Sequence, residues 1–415
     1  MNDSRFQIQL PCPQCGGRVI LEDTDRLFHC PFCRVRLALQ ATPQHTYVFS
    51  PKDSYRFRPL TYLPYWRFRG LAFALKADEV RHRILDVSAA AVGFPGMPSS
   101  LGLRPQAVPL SFYSPEIPGT FVEPTFPCKK WLKSLDFGLK DRSRPWASSM
   151  TYHALIGESV SLVYTPFFER NGTMHDAVTG RPLTSWSNEL GHGIPAINTQ
   201  PRLDFLPTLC PRCGGDMDGE RDALVLQCRT CSRHWEMCGR AWHAVEVGRI
   251  AGVDEETVGA PFWVLDVAAQ GFSLETVADF LTLTRAAALG PSKRTDQPFR
   301  FWVPAFKIAP QFFLRLGRAA TVAQLETDAA ASAHLPNHLY QVTLPSVEAF
   351  QACPILLGAT SPAKEELLSK LRRAHLAFRG KKLVYLPLRR LSSEWLLEPF
   401  GLAFPLHALR WGRAL

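Results

Sequence analysis

The chain has 415 residues, 46% of them hydrophobic, with 47 Lys and Arg against 37 Asp and Glu and a net charge of +10. This is the composition of a globular chain that can bury a sizeable core, and the length predicts about three domains. The sequence predicts neither an export signal nor a spanning helix, because its N-terminus lacks a basic start before an apolar stretch and no window approaches about 18 apolar residues.

The first predicted element is a pair of cysteine knuckles, Cys12-Pro13-Gln14-Cys15 and Cys30-Pro31-Phe32-Cys33. Two residues between the cysteines let both thiolates of a knuckle reach one ion, and the 14 residues between the knuckles are enough for a hairpin. Four thiolates match the tetrahedral preference of zinc. The glycine after Cys15 suits the left-handed backbone of a tight turn. The spacing therefore predicts a metal site at the start of the chain.

The next segment combines strand, helix and proline-rich patterns. Aromatic and β-branched residues predict strands over 62–68 and 159–168. Apolar spacing and the closing Gly93 predict a helix over 76–92. The eight prolines of 95–127 predict an extended linker or a long surface excursion.

After the irregular stretch 171–207, the cysteine pattern returns as Cys210-Pro211-Arg212-Cys213 and Cys228-Arg229-Thr230-Cys231, each cysteine displaced by 198 positions. The strands predicted beyond it are 262–267, 301–308 and 382–388, and the predicted helices are 273–289, 320–334 and 362–379. The last of these helices has Ser361 as its predicted N-cap, Gly380 as its end, and a buried face predicted from Leu367, Leu368, Leu371 and Phe378.

The repetition extends beyond the cysteines, which indicates duplication of a domain because solenoid repeats are much shorter. The matched segments are Pro64-Tyr65-Trp66 with Pro261-Phe262-Trp263, 89–93 with 286–290, 123–126 with 303–306, and 162–167 with 383–388. The changing offsets predict an insertion in the second copy around 319–380.

The two knuckle pairs resemble zinc ribbons, the small β-hairpin metal modules of transcription factors, RNA polymerase subunits, ribosomal proteins and helicases. The resemblance covers about 25–30 residues in each half and implies metal binding rather than one activity. It implies two zinc ions, with the ligands Cys12, Cys15, Cys30, Cys33, Cys210, Cys213, Cys228 and Cys231. Rubredoxin-like iron is the alternative. It is disfavoured by the shorter loop between knuckles and by Arg34 and Ser232, which stand where a rubredoxin has glycine.

A search for catalytic residues finds few candidates, and each has a simpler explanation. Cys128 precedes two lysines that could activate its thiol, yet it is more simply a half-buried cysteine. His175-Asp176 has no histidine counterpart in the second half. His29, His234 and Cys238 lie near knuckles, but each site already has four cysteines, and a complete four-cysteine site leaves no open position to activate water. We therefore expect no enzymatic activity.

The predicted fold class is α+β and internally duplicated, with a zinc ribbon in each copy followed by a mixed or antiparallel β-rich body with a few helices. The predicted domains are ribbon 1 over 1–45, body 1 over 46–170, a linker over 171–207, ribbon 2 over 208–245 and body 2 over 246–415.

Three function classes remain open. The favoured hypothesis is a non-enzymatic scaffold or adaptor that binds protein partners in a cytoplasmic complex, since the unpaired cysteines suggest no disulfide framework. The first alternative is nucleic-acid binding through the ribbons and the basic segment 370–390. The second is a redox carrier or enzyme. No small-molecule substrate is evident from the sequence.

Overall fold

The computed structural model describes residues 7–22, 24–39, 45–94, 96–134, 152–183, 205–250, 252–253, 256–286, 295–327 and 338–412. The chain divides into two compact units. Unit 1 comprises 1–69, 86–135 and 159–207, and unit 2 comprises 70–85, 136–158 and 208–415. The described residues are mostly β-sheet with fewer helices, consistent with an α+β or β-rich class. None of the described helices is both long and apolar enough to cross a membrane.

The strands in chain order are β1 Gln7–Pro11, β2 Arg18–Glu22, β3 Leu27–His29, β4 Arg36–Leu39, β5 His45–Phe49, β6 Thr61–Leu75, β7 Val80–Ala90, β8 Leu110–Phe112, β9 Thr120–Phe121, β10 Tyr152–Arg170, β11 Thr173–Asp176, β12 Phe205–Pro207, β13 Met217–Asp218, β14 Val225–Cys228, β15 His234–Cys238, β16 Ala241–Val245, β17 Val247–Arg249, β18 Val258–Gln270, β19 Phe301–Pro304, β20 His375–Arg390, β21 Glu394–Leu397 and β22 Leu402–Pro405.

The helices in chain order are α1 Arg104–Ala107, α2 Cys128–Ser134, α3 Val277–Thr284, α4 Pro310–Ala323, α5 Ser346–Gln351, α6 Cys353–Thr360, α7 Lys364–Leu371 and α8 His407–Gly412.

The first half of the chain forms a nine-stranded sheet and a three-stranded sheet. The large sheet has the order β2-β1-β8-β5-β10-β6-β7, with β11 on β10 and β9 on β6. The small sheet has the order β12-β4-β3. β6 is buried along nearly its whole length, because aromatic and aliphatic side chains occupy both of its faces. The first cysteine knuckle follows β1 of the large sheet, and the second lies between β3 and β4 of the small sheet.

Unit 2 contains a four-stranded sheet, β13-β14-β15-β16, and a six-stranded sheet, β19-β18-β20-β21-β22 with β17 on β20. β18 and β20 pair antiparallel from Val258↔Leu388 to Gln270↔His375, with an irregularity next to Asp266. Helices α4 and α7 bury one face each, whereas α6 is buried on nearly all sides, and the apolar side chains of the three helices complete the core of this unit. Segment 70–85 also belongs to unit 2, where Phe73 and Phe313 lie with ring centroids 5.8 Å apart.

The two halves share several backbone interactions at matched residues. In the first half, β10 pairs parallel with β5 through Leu162↔Thr46, and in the second β20 pairs parallel with β17 through Leu383↔Val247. Pro64 O accepts from the amide of Ala91 at 2.9 Å, and Pro261 O accepts from the amide of Ala305 at 2.9 Å. The sequence match of Leu162 with Leu383 and of Pro64 with Pro261 therefore coincides with equal hydrogen-bonding roles.

The buried tryptophans extend this correspondence. Trp66 Nε1 donates to Phe126 O at 2.7 Å, and Trp263 Nε1 donates to Leu344 O at 2.8 Å. The role of Phe126 is thus taken by Leu344, and not by Phe306 as the sequence match of 123–126 with 303–306 predicted. Most of 286–290, the segment matched with 89–93, lies outside the described residues. The amide of Ala305 donates to Pro261 O as the amide of Ala91 donates to Pro64 O, so Ala305 is the counterpart of Ala91.

All four predicted helices differ from the structure. The helix predicted over 76–92 is wrong, because Val80–Ala90 is strand β7 beside β6. The helix predicted over 320–334 corresponds to α4, which begins at Pro310 and ends at Ala323; residues 328–334 lie outside the described part. The helix predicted over 273–289 is the shorter α3, with Thr276 as its N-cap.

The helix predicted over 362–379 is also shorter than expected. It is α7, which ends at Leu371, and its N-cap is Ala363 rather than Ser361. Gly380 does not end a helix but lies in β20 opposite Asp266, and Phe378 is 44% exposed in the same strand. Tertiary pairing with β18 overrides the local helical pattern here. The buried face from Leu367, Leu368 and Leu371 is confirmed.

The proline-rich segment 95–127 is not a linker in its described part, residues 96–127. It contains α1, and its strand β8 lies between β1 and β5 inside the nine-stranded sheet. In the predicted linker 171–207, β11 pairs with β10 and β12 with β4, while 184–204 lie outside the described residues. Short strands bounded by prolines explain why composition alone suggested an excursion.

Candidate metal centres

The first cysteine cluster brings together Cys12, Cys15, Cys30 and Cys33, whose sulfur atoms all lie within 4.8 Å of one another. Cys12 Sγ is 3.7 Å from Cys33 Sγ, and Cys15 Sγ is 3.6 Å from Cys30 Sγ. A tetrahedral ion with Zn–S bonds of about 2.3 Å requires sulfur atoms about 3.8 Å apart. The four thiols therefore already have the spacing of a four-coordinate metal site.

The second cluster repeats this geometry with Cys210, Cys213, Cys228 and Cys231, again all within 4.8 Å. Cys210 Sγ is 3.7 Å from Cys231 Sγ, and Cys213 Sγ is 3.5 Å from Cys228 Sγ. In both clusters the first and third cysteines are buried, the second is exposed and the fourth is intermediate. The sequence predicted both groups of four correctly, and the arrangement is consistent with zinc ribbons.

Each knuckle is a tight turn closed by two backbone hydrogen bonds. In the first knuckle the amide of Gly16 donates to Cys12 O at 2.8 Å, and the amide of Cys12 donates to Gly17 O at 2.8 Å. Gly16 has a left-handed φ of +72°, as does Gly214 in the second half. The second knuckle of each pair uses Arg34 and Ser232 in the same conformation, with φ of +62° and +55°.

This left-handed conformation favours glycine. At Arg34 and Ser232 it costs conformational free energy, and the surrounding turn holds both residues in it. Arg34 and Ser232 therefore differ from the glycine of a rubredoxin in residue type, but they have the same left-handed backbone conformation as Gly16 and Gly214.

The second glycine of each first knuckle is required by a close approach. A Cβ atom on Gly17 would lie 2.5 Å from Phe32 Cδ2, and one on Gly215 would lie 2.3 Å from Thr230 Oγ1. Phe32 and Thr230 occupy the same position of the opposite knuckle. Glycine therefore lets the two knuckles of a cluster pack against each other around the ion position.

The four thiols of a cluster influence each other's ionisation. Burial opposes ionisation of Cys30, yet backbone N–H groups of Cys33 and Phe32 and the neighbouring thiols lower its pKa to about 6. Burial and the neighbouring thiols raise the pKa of Cys33 to about 12, although the N–H of Val35 lowers it. Four adjacent thiols do not all lose their protons without a cation, and a divalent metal supplies that charge.

The remaining candidate residues do not join the clusters. His29 and Cys238 are exposed, while His234 is buried in β15, where burial lowers its pKa to about 4. Cys128 is 6% exposed at the start of α2 and packs in the core beside Trp66. Cys353 is fully buried in α6, and burial raises the pKa of its thiol.

His175 and Asp176 have structural contacts in unit 1. The ring of His175 stacks on Phe168 with centroids 5.4 Å apart. Asp176 is 2% exposed, its Oδ1 accepts from the amides of Val178 and Thr179, and its Oδ2 lies 2.5 Å from Arg104. These contacts stabilise the turn after β11, so both residues have a structural role.

A buried ionic cluster near the second ribbon was not predicted from the sequence. Glu236 on β15 is 1% exposed and accepts hydrogen bonds from the amide of Ser346 at 2.9 Å, from Ser346 Oγ at 3.1 Å, and from Lys381 Nζ. Lys381 Nζ also lies 5.7 Å from the centre of the Trp263 ring. Long-range pairing of this kind has no local sequence signal, because the three polar residues are separated by more than 30 positions.

The basic segment 370–390 is largely paired with carboxylates. Besides Lys381 with Glu236, the observed ion pairs are Lys370 with Glu366, Arg379 with Glu275, Lys382 with Glu246, and Arg389 with both Glu256 and Glu398. These partners come from several elements of unit 2, so five of the eight basic residues of the segment are paired with carboxylates in the fold.

Comparison of the chain with protein-family models, curated proteins and solved structures found no match. The likeness to zinc ribbons therefore rests on the two cysteine clusters, their knuckle turns and the strands that hold them.

Proposed function

We propose that the protein is a non-enzymatic zinc-binding scaffold that presents two diverged ribbon surfaces to protein partners. The observation that carries the proposal is the pair of four-thiol clusters with matching sulfur spacing. Four thiolates fill the coordination sphere of zinc, so such a site stabilises a fold and leaves no position for a reactive water. We assign one zinc ion to each cluster, two per chain.

We further propose that the two halves are duplicated copies. The parallel pairing of β5 with β10 and of β17 with β20 supports this, as do the equal hydrogen-bonding roles of Trp66 and Trp263. What both halves keep is metal ligands, aromatic core and proline-containing strands. A repeated fold without repeated reactive groups favours a binding role over catalysis.

The surfaces of the two ribbons differ in a way that suits different partners. Phe32, between the cysteines of its knuckle, is 67% exposed, and the matching residue of the second half is Thr230. Exposed aromatic side chains are enriched where proteins bind one another, so ribbon 1 is the proposed contact surface.

The alternative of nucleic-acid binding through segment 370–390 is less favoured. Binding to phosphates requires cations that are available, whereas Arg379, Lys382 and Arg389 are each engaged by a carboxylate. The alternative predicts affinity that falls steeply with salt. Binding to DNA or RNA with that salt dependence, weakened by Arg373→Gln, would favour it over the scaffold.

The scaffold is tested by recovering the tagged protein from its own cells with and without nuclease, in the wild type and in two variants. Phe32→Ser removes the exposed aromatic of the first ribbon, and Thr230→Ser is the matched control at the equivalent position of the second. We expect protein partners that survive nuclease in the wild type and the control, and reduced recovery with Phe32→Ser.

Metal content is measured on the same samples. Because serine at position 32 leaves all four thiols in place, Phe32→Ser keeps both ions. Loss of every partner after nuclease treatment would contradict the proposal, as would equal recovery with Phe32→Ser and Thr230→Ser.

A further inference from the structure

Unit 2 contains a groove of about 840 Å³ between α4 and the junction of α6 with α7. One stripe of α4 lines it with residues three and four apart, including Leu314, Arg315, Arg318 and Val322. The opposite stripe of α4, with Phe313, Leu316 and Ala320, is buried in the core. The groove is of the size that small-molecule sites have, about 300–1,000 Å³, and its walls come from α4, the α6–α7 junction, the residues after α3, and β22.

The charged residues that line the groove have one sign. Arg285, Arg315, Arg318 and Lys364 contribute four cations, and no carboxylate is among the described lining residues. Arg285 is paired with Glu366 at 2.5 Å, and Lys364 Nζ donates to Ser361 O at 2.9 Å. Within the part of the chain that the structure describes, Arg315 and Arg318 form no ion pair, and both are exposed on α4. Two adjacent guanidinium groups are thus available to an anion.

The second wall holds an unusual buried hydroxyl. Ser361 is 1% exposed, lines the groove, and its Oγ has no hydrogen-bond partner in the described structure. The neighbouring Thr360 hydroxyl, by contrast, donates to Leu356 O at 2.8 Å. A buried hydroxyl without a partner costs stability, so Ser361 indicates a partner that the chain does not supply. An oxygen atom of a bound ligand provides one.

The rest of the lining is apolar. Leu314, Val322 and Pro362 lie beside the cations, and Leu402 of β22 adds another aliphatic side chain. A free inorganic anion would leave this surface unused, whereas a molecule with an anionic head and an apolar body covers both kinds of surface.

We propose that this groove binds an amphipathic organic phosphate, with its head group held by Arg315, Arg318 and the Ser361 hydroxyl and its apolar body on the aliphatic residues. The inference goes beyond the proposed scaffold function and does not depend on it. A small-molecule ligand could not be expected from the sequence alone, because α4 and the α6–α7 junction meet only in the fold.

The test is isothermal titration of the zinc-loaded protein with octyl phosphate, inorganic phosphate, octanoate and octyl glucoside. We expect saturable binding of octyl phosphate with one site per chain, at least tenfold weaker binding of inorganic phosphate, and no binding of the uncharged glucoside. Octanoate with equal affinity would identify the shared chemistry as an anionic head of either kind and would overturn the assignment to phosphate.

Variants locate the site. Arg315→Gln and Arg318→Gln each remove an exposed guanidinium, and each is expected to weaken octyl phosphate about tenfold or more, since hydrogen bonds to charged groups are the strong ones. Arg373→Gln removes an exposed arginine outside the groove and is the matched control, with unchanged affinity.

Ser361→Ala separates binding from folding. The alanine variant is expected to unfold at an equal or higher temperature without ligand, because an unpartnered hydroxyl is removed, yet to bind octyl phosphate about fivefold more weakly. Unchanged affinity in all three groove variants would overturn the proposal, and so would a failure of the wild type to bind any of the anions.

Discussion

Glu236 shows how strongly a single residue depends on partners that are distant in sequence. Its carboxylate is buried and accepts hydrogen bonds from Ser346 and Lys381. A carboxylate in such a place is stable only while its partners stay in position, since removal of one partner leaves an uncompensated charge. This residue connects β15, next to the second cysteine cluster, with α5 and β20 of the same unit.

We expect Glu236→Gln to lower the free energy of unfolding by about 3 kcal/mol, because it leaves Lys381 without its carboxylate. The measurement is chemical denaturation of the zinc-loaded protein. Glu275→Gln is the matched control, since Glu275 pairs with Arg379 at 2.7 Å on the surface and an exposed pair contributes less than about 1 kcal/mol. Equal effects of the two substitutions would contradict the role given to Glu236.

His45 is a second residue whose surroundings lead to a testable prediction. Its Nδ1 has no hydrogen-bond partner, and its ring lies about 6 Å from those of Tyr47 and Phe112, with centroid distances of 6.1 and 6.0 Å. Burial, with a contribution from Arg26, lowers its pKa from 6.5 to about 3. The folded protein therefore holds His45 neutral at pH values where the unfolded chain protonates it.

The stability contributed by neutral His45 is complete above pH 6.5 and is lost as the pH falls toward 3, because the unfolded state binds the proton more tightly. His45→Phe removes this pH-dependent loss of stability. Between pH 7 and pH 5, the stability of the variant relative to the wild type should rise by up to about 2 kcal/mol. Denaturation of both proteins at the two pH values measures it. A difference that is independent of pH would contradict the assignment.

At the scale of elements, the buried residues Trp66 and Trp263 have equal hydrogen-bonding roles in their halves. Each lies in a long buried strand, β6 or β18, and each donates its indole N–H to a backbone carbonyl of a distant segment. A buried carbonyl that loses its indole donor costs free energy, so both positions should respond in the same way to the loss of the indole.

Trp66→Phe and Trp263→Phe should each destabilise the protein by about 1–3 kcal/mol, through the unpaired carbonyl and the smaller ring. Trp395→Phe, in β21 and only partly buried, is the control, with an effect under about 1 kcal/mol. Thermal unfolding compares the three. A large cost for one buried tryptophan and none for the other would speak against their equivalence.

The elements that the sequence predicted correctly are those with strong local patterns. The knuckles were predictable because their ligand spacing is short, and strands such as 62–68 and 159–168 because aromatic and β-branched residues dominate them. Strand β7 was mistaken for a helix because its alanines and apolar spacing also suit one, and only pairing with β6 decides the outcome.

The parts of the candidate sites that the sequence could not predict are formed by distant segments. The groove needs α4 beside Ser361, and the sequence predicted this helix over 320–334 instead of 310–323 because its left-handed end at Gln324 has no glycine signal. The ion pairs of the basic segment could not be predicted either, since Glu236, Glu246 and Glu275 lie more than 100 positions from their partners. The composition gives the number of charged residues but not which of them form ion pairs.

At the scale of the whole molecule, each half of the chain has its own four-thiol cluster and its own parallel strand pair at the matched residues. Each cluster lies in a different compact unit. The sites should therefore load and empty independently, because no ligand of one cluster belongs to the other.

The central claim is most directly tested by counting metal ions in the purified wild type and in Cys15→Ser and Cys213→Ser, by elemental analysis together with native mass spectrometry. We expect two zinc ions in the wild type and one in each variant, since a thiolate is lost from one cluster and the other cluster stays intact. A wild type with a single ion, loss of both ions after one substitution, or iron in place of zinc would contradict it.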